Sequence, residues 1–230
     1  MYDSHIFLDF EMNPVPREAR SAFPEEMRSV GAEIIEIGAV KLDRDYNLVD
    51  HFSSFVRPRY APIAAHITEL TGICEQDVAQ APELEQALIQ FSKWIGAGRI
   101  RLYSWSMSDL CQLEDECWLK DIDPPEQLLS RWMDFQRIYT HLMGISRRHP
   151  LSLKNALGSA ACAFDGEAHR AVHDAENSAA LLTMVHRGEH LERTKVVRSL
   201  LKPTGMNQNK IGGENSAKLA ELLAQMQQDT

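Results

Sequence analysis

HIFLDFEMN, residues 5–13, has the composition of a buried β-strand, because Ile6, Phe7, Leu8 and Phe10 are apolar types that fill a sheet core. Two acids interrupt it. Side chains in a strand alternate between faces, so Asp9 and Glu11 project to the same side, where paired carboxylates repel each other and are costly to desolvate. A D-x-E of this kind ordinarily ends a strand at solvent. The other reading is a site that needs clustered oxygens, and the rest of the chain has to choose between them.

Downstream of the strand, NPVPREARSAFPEEMRSVGAE (13–33) is rich in proline and charge and reads as a long loop or partly helical insertion beside the strand end. EIIEIGAVKLD (33–43) alternates as a second strand, RDYN makes a turn, and LVDHFSSFVRP (48–58) a third, giving an antiparallel meander. Helical spacing then takes over. In APELEQALIQFSKWIG (81–96), Leu84, Leu88, Phe91 and Ile95 share a face, with Pro82 near the start and Gly96 at the stop. RIRLYSW (99–105) is a short strand, and SDLCQLEDECWLK (108–120) a helix with Ser108 expected as its N-cap. Further helices are expected in SLKNALGSAACAF (152–164) and HDAENSAALLTMVHRG (173–188). Three strands followed by alternating helices and strands imply an α/β protein, a mixed sheet with helices on its faces.

Composition narrows the class. A chain of 230 residues with 44% hydrophobic and 25% charged residues builds one sizeable core plus an appendage. No apolar run approaches the ~18–20 residues that span a bilayer, and MYDSHIFL lacks a basic n-region and an apolar h-region; the expectation is a cytoplasmic protein with no membrane partner. Cys74, Cys111, Cys117 and Cys162 form no C-x-x-C pair and read as reduced core thiols. The net charge of −9 argues against an unspecific nucleic-acid coat, but permits local cations or acids that hold metal.

Other acids stand at comparable places. Asp109 follows a strand and opens a helix, and Asp174 opens a late helix with His169 five residues before it. An acid in a helix's first turn commonly just complements the dipole. The order is more telling: D-x-E on the first strand, an acid after a middle strand, then H-x-x-x-x-D on a late helix. Four carboxylates and a histidine at element ends make a hard-oxygen cluster.

On these segments the chain resembles the DEDDh-type 3′→5′ exonucleases of the DnaQ-like, ribonuclease H-like superfamily, and within them the KapD and histone-mRNA or siRNA-trimming branch. LDFEMN matches the first motif, SWSMSDLCQLEDEC the second and HRAVHDAENSAALL the third; EIIEIGAVKLD and FVRPRYAPIAAHITELTGICEQDVAQAP match the segments between. The likeness runs from residue 5 to about 187. It implies an exonuclease domain over residues 1–187 with a ribonuclease H-like fold, a mixed five-stranded sheet flanked by helices, and a C-terminal extension over 188–230.

The resemblance also implies chemistry. Two Mg²⁺ or Mn²⁺ ions per site would hydrolyse phosphodiesters. Asp9 would bridge them, Glu11 and Asp174 would complete the site that activates water, Asp109 would support the second ion, and His169 would be the general base. Two assignments have rivals. A different register of the second motif falls on Ser106, whereas W-x-x-x-D-x-x-x-L-x-x-x-C fits Trp105, Asp109, Leu113 and Cys117 without gaps. His173 adjoins Asp174, but the family's spacing selects His169 and leaves His173 to cap or face solvent. The family's tyrosine variant requires Tyr at 170, where this chain has Arg170.

Met12, His66 and Trp105 are candidates to stack on or wedge the terminal nucleotide, with core packing the rival for Trp105. Arg57, Arg59, Arg99, Arg101, Arg147 and Arg148 are candidates for a local basic surface. The implied partner is a nucleic acid with a free 3′ end, RNA ahead of DNA by branch analogy. The competing function is a nuclease-fold regulator that binds a protein partner, as in KapD-like proteins; a Ser- or Cys-based hydrolase finds no G-x-S-x-G or Cys/His signature. In the extension, polar residues near 203–216 precede an amphipathic helix with Leu219, Leu222, Leu223 and Met226 on one face. It either docks on the domain or serves as a homodimer or partner arm.

Overall fold

The computed structural model describes residues 2–129, 132–143 and 150–189. Arg147, Arg148 and the extension beyond Glu189 lie outside the described residues, as does its expected helix. The first three strands are β1 (Ser4–Pro14), β2 (Ala32–Asp43) and β3 (Leu48–Phe55). They form the expected antiparallel meander, β1 pairing β2 and β2 pairing β3. Strands β4 (Ile100–Ser104) and β5 (Trp132–Asp134) add on the other side of β1, both in parallel pairings, to complete a mixed five-stranded sheet of order β3-β2-β1-β4-β5.

Alternation along β1 divides the core into two layers. Ile6, Leu8 and Phe10 pack against Leu84, Leu88, Phe91 and Ile95 of helix α4 (Leu84–Ile95) and Leu113 and Cys117 of α5 (Ser108–Lys120). Phe7, on the opposite face, joins Phe135 and Tyr139 of α7 (Phe135–Leu142), Ala156 and Leu157 of α8 (Leu153–Ser159) and Leu181 and Leu182 of α9 (Ala171–His186). The insertion after β1 carries the short helix α1 (Arg17–Arg20) and a 3₁₀ turn at Glu25–Met27, so it is partly helical. Helices α2 (Ala65–Thr71) and α3 (Glu75–Val78) follow β3 and seat Ile67, Ile73 and Val78 on Ile35; α6 (Glu126–Leu129) precedes β5.

A β-bulge sharpens the site end of the sheet. Glu11 pairs with Glu36 but Met12 pairs with Ile34, which leaves Ile35 as the extra residue on β2. The Ile34 N–H donates to Glu116 of α5 at 2.7 Å. Glu116 also takes Lys120, which reaches Glu33 at 2.8 Å, while Glu33 accepts the Arg59 and Tyr60 N–H groups. All three charged side chains are buried, so removing one partner would strand the others. The network fastens α5, the start of β2 and the 59–60 backbone into one body.

One detail departs from the sequence expectation. The residue before α5 is Met107, with no side-chain cap, and Ser108 is already helical. Its hydroxyl turns to Asp109 at 3.4 Å and to Ser106 at 2.6 Å instead of to backbone N–H groups. The four cysteines are free, with Cys117 buried and Cys111 exposed.

Candidate active site

β1 and β4 run parallel, and the site lies where their C-terminal ends meet helices, the usual crevice of such sheets. β1 supplies Asp9 and Glu11 from one face, as its alternation requires. α9 crosses that face and supplies Asp174 from its first turn. One ligand oxygen from each of Asp9, Glu11 and Asp174 lies within 4.8 Å of the other two.

A single glycine permits this approach. Gly38 pairs with Asp9 across the β1–β2 ladder and lies directly under the start of α9. A Cβ there would fall 2.0 Å from the Val172 nitrogen and 2.1 Å from the Ala171 carbonyl carbon. Backbone therefore rests on backbone, and α9 sits as low on the sheet as a helix can.

Asp109 reaches the same place from the opposite layer. It is 4% exposed, and its Oδ1 accepts the Phe10 N–H at 3.2 Å, next to Asp9 in the chain. It stands outside the close trio of carboxylates but within electrostatic reach of Asp9. Ser106, the rival position, instead bonds Ser108 and offers no charge.

Electrostatics identify the cluster as a place for cations. Among the described residues, Asp9 and Glu11 have no hydrogen bond or ion pair to their carboxylates, and no Lys, Arg or His forms an ion pair with Asp109 or Asp174. Burial, then the charges of Asp109, Asp174, Glu11 and Glu36, push the Asp9 carboxyl well above the carboxylate range. Burial and Asp174 push Glu11 up to about 8. Burial raises Asp109 to about 6 against the Phe10 N–H, and it raises Asp174 against the His169 N–H. Such a set is costly as it stands and becomes favourable once counter-charge arrives. An all-carboxylate donor set of this kind fits hard divalent cations such as Mg²⁺ or Mn²⁺.

The two histidines separate clearly. His169 is exposed, has φ 64°, and donates its N–H to Asp174 Oδ2 at 2.8 Å. His173 is half-buried: its Nδ1 accepts the Glu167 N–H at 3.0 Å, and its ring lies so close under Gly166 that a Cβ there would meet it at 2.7 Å. It does not cap the helix, one of the two roles the sequence suggested; partly exposed, it holds the loop before α9. Asn177 does the same, exchanging hydrogen bonds with the Asp165 N–H and C=O.

The nucleotide-stacking candidates divide as well. Asn13 bonds both the Pro62 C=O and the Ala64 N–H, which docks the start of α2 against the end of β1. Met12, half-buried, and His66, exposed on α2, are therefore carried by adjoining elements. Trp105 is placed by core packing, with its ring against Phe135 and Tyr139. Of the arginines, Arg57 and Arg59 both bond Glu83 at 2.9 Å, Arg99 reaches Asp3 at 3.9 Å, and Arg101 bonds the Tyr2 hydroxyl at 2.7 Å. A cleft the sequence did not suggest is lined by Arg17, Glu18, Arg20, Ser21 and Arg28 of the insertion. Also missed was Glu36, whose signal was an acid inside the otherwise apolar run from Ile34 to Val40 of β2.

A family model described as Exonuclease (RNase_T) matches residues 6–182. ERI1 exoribonuclease 2 of Danio rerio is 32% identical over an alignment 200 residues long that covers 76% of this chain and 34% of that protein. The 3'-5' exonuclease Snipper of Drosophila melanogaster is 29% identical over an alignment 217 residues long that covers 84% of this chain and 73% of that one. The crystal structure of the nuclease domain of 3'hExo, described as a DEDDh family member bound to rAMP, superposes with a TM-score of 0.67 at 25% identity and covers 81% of this chain and 94% of its own. The chain spans about a third of the ERI1-type relative. The family match runs from β1 into α9 and takes in Asp9, Glu11, Asp109 and Asp174, so the chain belongs to the RNase_T exonuclease family, of the DEDDh 3′→5′ type and ribonuclease H-like fold.

Proposed function

We propose that the chain is a divalent-cation-dependent 3′→5′ exonuclease that releases nucleoside monophosphates from single-stranded ends, RNA ahead of DNA. The observation that carries this is the convergence of Asp9, Glu11 and Asp174 within 4.8 Å, with Asp109 beside them and, among the described residues, no Lys, Arg or His in an ion pair with any of the four. These four carboxylates would hold two Mg²⁺ or Mn²⁺ ions. When bound, the ions supply positive charge that stabilises the anionic transition state and acidifies water.

The chain's own residues account for the proton and for placement. A water oxygen attacks phosphorus, the bond to the leaving 3′ oxygen breaks, His169 takes the attacking water's proton on an imidazole nitrogen, and the leaving oxygen takes a proton from solvent to become the new 3′ hydroxyl. Imidazole is the side chain most often used for such a transfer, since one ring nitrogen can accept a proton while the other keeps its own. The role is supported by the exposure of His169 and by the bond of its backbone N–H to Asp174. Met12 and His66 at the ends of β1 and α2 would pack on the terminal nucleoside, and Arg17, Arg20 and Arg28 would meet phosphates further along the strand. The RNA preference is supported by the exoribonuclease name of the relative from Danio rerio and the rAMP in the 3'hExo structure.

Matched single-stranded RNA and DNA oligonucleotides, labelled at the 5′ end and incubated with Mg²⁺, Mn²⁺ or chelator, test this. Stepwise shortening of RNA faster than DNA, abolished by chelator, is expected. Inert oligonucleotides across metals and pH would contradict it and favour a nuclease-fold regulator that binds a protein.

A further inference from the structure

Glu36 is a fifth acid at the cluster, fully buried and directly across the ladder from Glu11, yet it points its oxygens elsewhere. Oε2 accepts Arg170 Nε at 3.2 Å and the Ala171 N–H at 3.2 Å; Oε1 accepts Arg170 Nη2 at 2.8 Å. Ser53 adds its hydroxyl to Oε1 at 3.4 Å. The two parallel Arg170 bonds make a planar fork, whose geometry fixes orientation as well as distance. The Arg170 guanidinium also lies 5.5 Å from the Phe55 ring, so sheet residues from β2 and β3 grip it together.

Arg170 sits between His169 and the first residue of α9. His169 has a left-handed backbone, uncommon for a residue with a Cβ, which persists only where the surroundings hold it. Two anchors hold it here: its own N–H on Asp174, and on the other side the Arg170 fork and Ala171 N–H on Glu36. We propose that Glu36 and Arg170 are positioning residues, a buried clamp that fixes the backbone of His169 over the acid cluster without touching substrate or metal. This rests on the assignment of His169 as the base. It explains why an acid so close to Glu11 is kept out of the close carboxylate trio.

Arg170→Lys keeps the charge and loses the fork, and Glu36→Gln keeps the shape and loses the charge. In the full chain with Mn²⁺ and single-stranded RNA, each should lower kcat by about 10²-fold, the cost of a misplaced catalytic group, with KM little changed. The deciding comparison uses a His169→Ala background. There Arg170→Lys should cause no further loss, because a positioning residue has nothing left to position. Native-state amide exchange, read without metal or RNA, should be faster at His169 and Ala171 in Arg170→Lys while Leu181 in the body of α9 stays protected. Wild-type kcat in Arg170→Lys, an equal loss in the His169→Ala background, or unchanged exchange at 169 and 171 would each overturn the clamp. If the wild-type chain cleaves nothing, the activity reading fails by itself, and the exchange comparison still decides the clamp.

Discussion

Gly38 and Val172 are in backbone contact: the space a Cβ would need at Gly38 is already taken by the Val172 nitrogen, 2.0 Å away. Because Gly38 also pairs with Asp9, this contact sets the height of Asp174 above Asp9 and Glu11. Gly38→Ala must push α9 off the sheet. The expected cost is about 1–3 kcal/mol of stability, as for other overpacked sites, measured by urea unfolding. Turnover should fall further than stability does, by about 10²-fold, since small displacements of reacting groups are expensive. A Gly38→Ala protein with wild-type stability and turnover would contradict the placement of α9.

The cluster also dictates a dependence on pH and metal. Glu11 has a folded pKa raised to about 8, and Asp9 is raised as well, so between the unfolded values near 4 and the folded values the folded state binds more protons. The cluster's own contribution to stability without metal is then fully present below about pH 4 and is lost as pH rises through the folded values, toward 8 for Glu11. Divalent cations bind only the folded cluster and should reverse the trend, adding about 2.7 kcal/mol at a hundredfold excess over the dissociation constant. Thermal melts at pH 5 and pH 8, in chelator and in Mn²⁺, check this. A melting temperature indifferent to metal at pH 8 would count heavily against the site.

Asp109→Asn and Ser106→Ala distinguish the two registers of the second motif. Asp109 brings a carboxylate to the Phe10 N–H beside Asp9, whereas Ser106 brings a hydroxyl that bonds Ser108. Asp109→Asn should lower turnover by orders of magnitude, because charge and not volume is lost. Ser106→Ala should be mild. Full activity in Asp109→Asn would place the motif in the other register.

His169→Ala and His173→Ala are expected to differ in kind. Loss of a general base costs roughly 10²–10⁴-fold in turnover, so His169→Ala should fall in that range and leave the Mn²⁺ thermal shift intact. His173→Ala removes the Nδ1 that accepts the Glu167 N–H. It should chiefly loosen the loop, seen as faster amide exchange at Glu167, with a smaller loss of turnover. The reverse ranking in turnover would sink the assignment of the base.

Much of this was legible in the sequence where periodicity and order agree. Alternation in HIFLDFEMN and EIIEIGAVKLD placed β1 and β2 to within a residue or two, and Leu84, Leu88, Phe91 and Ile95 marked α4. β5 was not legible as an element, since Trp132–Asp134 is too short for an alternating pattern and its half-buried residues depend on pairing with β4. Ser108 suggested a cap that the structure gives to no side chain, because its hydroxyl has a better partner in Ser106. Asp9, Glu11 and Asp174 were identified by type and order. Their support was not, because Gly38, Glu36 and Asn177 act through contacts with residues far along the chain or through loop geometry that spacing cannot display. The tie of Arg57 and Arg59 to Glu83 was equally invisible, and its single carboxylate offsets one of their two charges on the surface expected to meet phosphate.

The most direct measurement follows a 5′-labelled single-stranded RNA with a free 3′ hydroxyl, in Mn²⁺, for the wild-type chain and Asp9→Asn side by side. The wild type should produce a ladder that shortens one nucleotide at a time from the 3′ end and stops when metal is chelated. Asp9→Asn should be folded, as judged by circular dichroism, and should leave the RNA at full length, because Asp9 is the carboxylate on which the charges of Asp109, Asp174, Glu11 and Glu36 all converge. A ladder of wild-type rate from Asp9→Asn, or one that persists in chelator, would contradict the account.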